Sequence, residues 1–262
     1  MAQFRGDSFA SAKVQKTANI EYVYVIIDGF ASQNENGQAK GLLFDLMGEF
    51  EAYVADKYGI QIKSNTTLIE NSDFKKFLDV VGKGTGGVFG LSTTTINAER
   101  KKFLKFSSAY LNNISVLISH NSIATLSSMN SISTEFAGIS AYSAPGTTYG
   151  KRVEAVKTKF YPDLKVNSVP SEFDIVENVL SDNASFGFVD IGTYLGRVTR
   201  REPIKRHPAG DQTGEQFGII MPPTSDWEPV LNEFFSSFLK SSKYRQIVTE
   251  NVGKGGLRMI AQ

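Results

Sequence analysis

Four consecutive hydroxyl side chains, Ser92, Thr93, Thr94 and Thr95, precede Arg100 in the stretch GLSTTTINAERKKFLKFSSAYL, residues 90–111. Hydroxyls and backbone N–H groups at a helix start donate to small anions. An arginine fork grips a carboxylate bidentately, each charge-assisted bond being worth roughly 1.5–3 kcal/mol. The same residues also suit a plainer purpose, with Thr95 or Asn97 capping a helix and Arg100 on its solvated face. Spacing alone favours that plainer reading. A second group, Gly146-Thr147-Thr148 in APGTTYG, falls between a strand and a helix, where either an anion or an ordinary turn fits. Asp190 ends the apolar run FGFVD. Its carboxylate can receive an ammonium group or cap the segment starting at Ile191, and spacing does not separate the two. Asp28 and Phe30, in IDGF, stand at the expected end of the first strand, where turn and core are the commoner uses.

The totals narrow the classes of chemistry. The chain has 262 residues, 28 basic and 27 acidic, for a formal net charge of +1, so nothing draws it generally to nucleic acid or anionic membrane. Its 41% hydrophobic and 21% charged residues are a globular composition. Cysteine is absent, which excludes disulfides, thiolate metal ligands and a cysteine nucleophile. The two histidines, His120 and His207, are too few for a His-rich metal site, and no cofactor is expected. No apolar run has the length of a membrane span, and the first residues lack the apolar core of a signal peptide. The chain is thus either cytoplasmic or an exported protein given without its leader.

The positioning elements follow from periodicity. Ile20–Phe30 reads as a buried strand. Leu43, Leu46, Met47, Phe50, Tyr53 and Val54 recur at helical spacing, with Gly59 at the C-terminal cap. A strand (IQIKSN) and a short helix over Phe74–Val81 come next. NISVLISH is a strand candidate, and a second cycle starts at ISAYS: strand, GTT loop, helix KRVEAVKTKFY, strand LKVNSV, helix EFDIVENVL, strand SFGFVD. GEQFGIIMPP adds a strand before a long helix starting near Trp227. Alternation of strand and helix predicts an α/β fold with largely parallel sheets, and its restart predicts a second lobe. Ligands of such sheets sit beyond the carboxyl ends of the strands.

The order of these pieces resembles the bacterial extracellular solute-binding proteins of the amino-acid-binding family, with the type II periplasmic binding fold. NGQAKGLLFDLMGEF, STTTINAERKKFLKFSSAYL, APGTTYGKRV and the closing FGIIMPPTSDWEPVLNEFFSSFLKSSKYRQIVTENVG each look like segments of that family, covering the chain from about Ile20 to Gly253. The resemblance implies two α/β lobes joined by two hinge strands, with residues 1–112 plus 217–262 in lobe 1 and 113–216 in lobe 2. It also implies that a polar amino acid is bound without catalysis in the cleft between the lobes, which close over it. Arg100, Thr95 and Thr148 would take the α-carboxylate, and Thr93 and Asp190 the α-ammonium. By the resemblance Phe30 falls at an aromatic position that supports the pocket; the carboxylate of Asp28, taken by itself, would suit a ligand with a basic side chain. The implied partner is the permease of an ABC importer, and the implied state is an extracytoplasmic monomer. Departures from the family are Ala98 in place of a proline, IIDGF in place of the YPPF loop, and GGVFGLS without the usual aspartate. They bear on the side-chain subsite more than on the amino-acid backbone site. Two alternatives stand beside this reading. One is an enzyme on the same fold, similar to cyclohexadienyl dehydratases, with Glu172, Asp174 or Glu215 as general acid. The other is a sensing module or a binding protein that has lost its ligand.

Overall fold

The computed structural model describes residues 3–259. The chain divides into two compact units, Met1–Asn112 with Gln216–Gln262, and Asn113–Glu215. It passes between them twice, within the strands Leu111–His120 and Ile204–Phe217.

The first unit is built on a five-stranded sheet in the order Gln61–Leu68, Thr17–Tyr24, Val88–Leu91, Ile220–Met221, Lys105–Phe106. Thr17–Tyr24 pairs in parallel with both of its neighbours, and Ile220–Met221 runs antiparallel to its own. The amphipathic helix Leu42–Tyr58 buries Leu43, Leu46, Met47, Phe50 and Val54, and Gly59 ends it in the left-handed conformation at φ 62°. Only glycine adopts that geometry at little cost. Phe50, Phe89, Trp227 and Phe234 form an aromatic centre with ring centroids about 6 Å apart. Trp227 is fully buried, so its indole N–H needs a partner, and it donates to the Asp7 carbonyl at 2.8 Å.

The second unit has the strand order Ile204–Phe217, Leu111–His120, Ser185–Asp190, Ser140–Ser143, Val166–Ser168. Its last three strands pair in parallel, while Leu111–His120 is antiparallel to Ser185–Asp190. Helices Thr148–Lys159 and Glu172–Ser181 supply Val153, Val156, Ile175, Val176 and Val179 to the core. The predicted α/β class with mainly parallel sheets is what the structure shows.

Three local expectations need correction. The strand expected over Ile20–Phe30 is Thr17–Tyr24, because the chain folds back at an isolated Ile27–Ala31 bridge with Gly29 at φ 75°. Asp28 and Phe30 therefore sit in a turn, beyond the strand end. The helix expected after Asn97 is a single 3-10 turn, Arg100–Lys102. Phe103 and Leu104 donate their N–H groups back to the Arg100 carbonyl, and the chain enters the Lys105–Phe106 strand at once, burying Leu104 and Phe106. The fourteen-residue strand Ile204–Phe217 was not legible as such, since IKRHPAGDQTGEQF lacks alternation and contains Pro208. It lies at the sheet edge, where proline is tolerated.

Candidate functional site

In the first unit the Val88–Leu91 strand runs into the hydroxyl loop. Thr94 donates its N–H to the Ser92 carbonyl at 2.7 Å, making a tight turn. Ile96 N–H donates to the Gln216 carbonyl and Gly218 N–H to the Thr94 carbonyl, so the returning chain holds the loop along its length. Ser92, Thr93, Thr94 and Thr95 are all buried. The hydroxyls of Ser92 and Thr94 have no hydrogen-bond partner among the described residues. Buried hydroxyls are normally paired, so unpaired ones point to water or ligand.

Arg100 is 7% exposed, which rules out a solvated helix face. Its backbone N–H donates to Asn97 Oδ1 at 2.9 Å, so Asn97 rather than Thr95 caps the turn. Nη1 donates to the Thr95 carbonyl at 2.9 Å, and the guanidinium lies 5.0 Å from the centre of the Phe74 ring. A cation over an aromatic face is attracted by the ring quadrupole. Phe74 opens the helix Phe74–Gly82 behind the cap Asp73. Sequence reasoning placed it on that helix without linking it to Arg100, because the two are 26 residues apart. Phe30 is fully buried edge-on to Phe217, and Phe217 bridges to Thr95. Phe30 thus packs behind the loop, and Asp28 lies half-buried on the adjoining turn.

The second unit gathers a different set. Gly146 turns the chain at φ 80°, and Thr147 is the cap: its hydroxyl accepts from Gly150 N–H at 3.1 Å and donates to the Ala144 carbonyl. Thr148, half-buried, is the first helical residue. Asp190 holds the N-cap position of Ile191–Thr199, yet its side chain makes no capping bond. The carboxyl turns instead to Tyr149, whose hydroxyl donates to Oδ2 at 2.6 Å, and to Asn113, whose Nδ2 donates to Oδ1. The same Nδ2 donates to Glu215 Oε2 at 2.9 Å, and Glu215 pairs with Arg152 at 2.8 Å. The Asp190 N–H donates to Glu172 Oε1 at 2.8 Å. Tyr149 carries this network from the GTT loop to the strand end, linking Thr148 and Asp190 through the residue between them.

Electrostatics set the charge of this cluster. Burial, then the nearby Glu172 and Glu215, push the Asp190 carboxyl well above the usual carboxylate range, against the opposing pull of Tyr149 and Asn113. Burial and then Asp190 push the Tyr149 phenol well up. Neither Tyr149 nor Asn113 was singled out from the sequence. The available signal was the alternation in LNNISVLIS, which puts Asn113 and Ser115 on a buried face, and Ser115 is the register partner of Asp190. Of the general-acid candidates, Glu172 and Glu215 belong to this network, whereas Asp174 is bound to the capping Ser171. Among the described residues no His, Asp and Glu group could hold a metal ion, and no helix is long and apolar enough to cross a membrane.

No protein-family model matches the chain, and no curated protein does. Solved structures do. A substrate-binding protein of an ABC uptake transporter from Streptococcus pneumoniae, with bound histidine, is similar at TM-score 0.72 and 18% identity, covering 98% of each chain. An ancestral arginine-binding protein bound to arginine matches at TM-score 0.70 and 20% identity, over 90% of this chain and 98% of that one. An ancestral amino-acid-binding protein described as a precursor of cyclohexadienyl dehydratase matches at 0.69 and 16%, over 93% and 98%. The chain has the type II periplasmic binding fold. At these identities the likeness establishes the fold, shared over nearly the whole chain by binding proteins and by the precursor of an enzyme.

Proposed function

We propose that the protein binds a polar amino acid without transforming it and delivers it, outside the cytoplasm, to the permease of an ABC importer. The observation that carries the proposal is the Arg100 loop: a buried guanidinium fixed by Thr95 and Phe74, beside buried threonines whose Thr94 hydroxyl is unpaired. A carboxylate seated there would take charge-assisted donors from an arginine already held in place. Thr95 and Arg100 take the ligand's carboxylate end and Thr93 its ammonium end, with Phe30 as support behind the loop. Thr148 and Asp190 form the half assigned to the second unit, where Asp190 faces the ammonium group. Amino-acid ligands bound by proteins of the same fold support this reading.

A thermal-shift screen of the free amino acids, followed by calorimetry, tests it. One or a few polar amino acids raise the melting temperature, since a ligand that binds only the folded chain stabilises it by mass action. A screen in which no amino acid shifts the transition, or in which prephenate or arogenate is turned over, defeats the proposal.

A further inference from the structure

A groove of about 570 Å³ lies wholly within the first unit, between one face of the helix Phe74–Gly82 and the turn Arg100–Lys102. Lys75, Leu78, Asp79, Gly82 and Lys83 line it at helical spacing, beside the stripe that buries Phe77 and Val81. Gly82 lets the turn approach closely: a Cβ there would meet the Phe103 carbonyl at 3.3 Å and the Phe103 ring at 3.6 Å. Phe103 N–H donates to the Arg100 carbonyl at 3.1 Å, so the turn is pinned from its other side too. The Phe103 ring is nonetheless 44% exposed, and Pro223 beside it is exposed as well. The charges around this apolar surface are unbalanced. Asp79 is the one acid of the lining, and Lys83 pairs with it at 2.7 Å. Lys75 and Lys102 are exposed, and no described residue pairs with either ammonium group. An exposed apolar patch rimmed by charge is the mark of an interaction surface.

We propose that this groove docks a segment of a partner protein in which a large apolar side chain is flanked by carboxylates. The apolar side chain covers Phe103, Leu78 and Pro223, which removes their exposed surface from water. The carboxylates meet Lys75 and Lys102, whose ammonium groups stand in solvent and turn toward an approaching acid. Charge complementarity selects the partner, because a basic segment would face two ammonium groups that nothing neutralises. Flexible lysines lack the planar fork that grips a lone carboxylate, so an extended chain bringing several contacts at once fits better than a free anion. A nucleic-acid strand fits worse, since the chain's formal net charge is only +1 and no basic stripe continues from the groove. The inference stands whether or not an amino acid binds at Arg100.

The experiment titrates the full chain into a fluorescently labelled, end-blocked peptide with a central phenylalanine between pairs of glutamates, at low salt, and reads anisotropy. Parallel probes replace the phenylalanine by serine, replace the glutamates by lysines, or substitute an oligothymidylate for the peptide. The acidic aromatic peptide binds, and the serine peptide binds about fivefold or more weakly for want of the ring contact. The basic peptide does not bind. Affinity for the acidic peptide falls as salt is raised, because exposed ion pairs are screened. Lys75→Gln together with Lys102→Gln weakens it roughly two- to thirtyfold, the loss of two exposed ion pairs. Phe103→Ser weakens it about fivefold or more. Thermal melting confirms that each variant is folded, and the lysine variant, which changes only exposed side chains, decides alone if Phe103→Ser is not. The inference is overturned if the acidic aromatic peptide fails to bind, if the basic peptide or the oligothymidylate binds as tightly, or if the folded lysine variant keeps the parent's affinity. An amino acid found by the screen binds the lysine variant as tightly as the parent; loss of peptide and amino acid together would assign the groove to the Arg100 site and overturn the inference as well. A chain on which no amino acid shifts the melting transition still answers the peptide test, so the two proposals fail separately.

Discussion

Replacing Arg100 by lysine isolates what the guanidinium fork contributes. Lysine keeps the positive charge and much of the apolar stem, and loses the planar pair of parallel donors. In the structure Nη1 is committed to the Thr95 carbonyl, and the guanidinium carbon lies 5.0 Å from the centre of the Phe74 ring. In the proposed complex two charge-assisted bonds go to the ligand carboxylate, at roughly 1.5–3 kcal/mol each. A lysine retaining one of them loses about 1.5–3 kcal/mol, or roughly ten- to over a hundredfold in affinity. Arg100→Ala loses both, about 3–6 kcal/mol, which takes a micromolar ligand to roughly 0.2–30 mM. Calorimetry with the amino acid identified by the screen reads both variants, and thermal melting shows that the fold persists. The expected order is Arg, then Lys, then Ala. Equal affinity of the lysine variant and the parent would refute the bidentate assignment, and undiminished affinity of the alanine variant would remove the ligand from this loop altogether.

Asp190→Asn should weaken amino acids more than the matching deaminated acids, measured by calorimetry; an equal loss for both removes Asp190 from the ammonium end. The same variant has a signature in stability. A carboxyl whose folded value is raised binds its proton more tightly in the folded chain, so it costs stability as pH rises above its unfolded value near 4. Urea melts should therefore show the Asn variant gaining on the parent from pH 4 to pH 8, and a constant difference would contradict the cause given for the shift. His207 works in the opposite direction. Fully buried, it accepts Leu126 N–H at Nδ1 and meets Ser119 Oγ at Nε2, and burial, then Lys205, lower it to about 4. Its unfolded value is near 6.5, so protonation favours the unfolded chain between those values. Stability is full above pH 6.5 and falls toward pH 4 by at most about 3 kcal/mol. His207→Phe should flatten that slope in urea melts, and an unchanged slope assigns it to other groups.

The sequence determined the elements and their order. Leu43 to Val54 recur at helical spacing, Gly59 sits where only a left-handed cap fits, and FGFVD is a buried strand; these are local facts that periodicity and backbone sterics decide. Spacing also drew attention to the hydroxyl loop, Arg100, GTT and Asp190. It did not say which way those side chains point. Arg100 read better from spacing as a solvated helical residue, but it is buried, held by the Thr95 carbonyl and the Phe74 ring. Asp190 read equally well as a cap, and Tyr149 and Asn113, 41 and 77 residues away, take its carboxyl instead. The raised protonation of that carboxyl was also beyond the sequence, because it depends first on burial and then on Glu172 and Glu215, brought near by a helix start and an edge strand. Desolvation and hydrogen-bond partnership act through space between groups distant in the chain, so tertiary structure decides them while local pattern decides the scaffold.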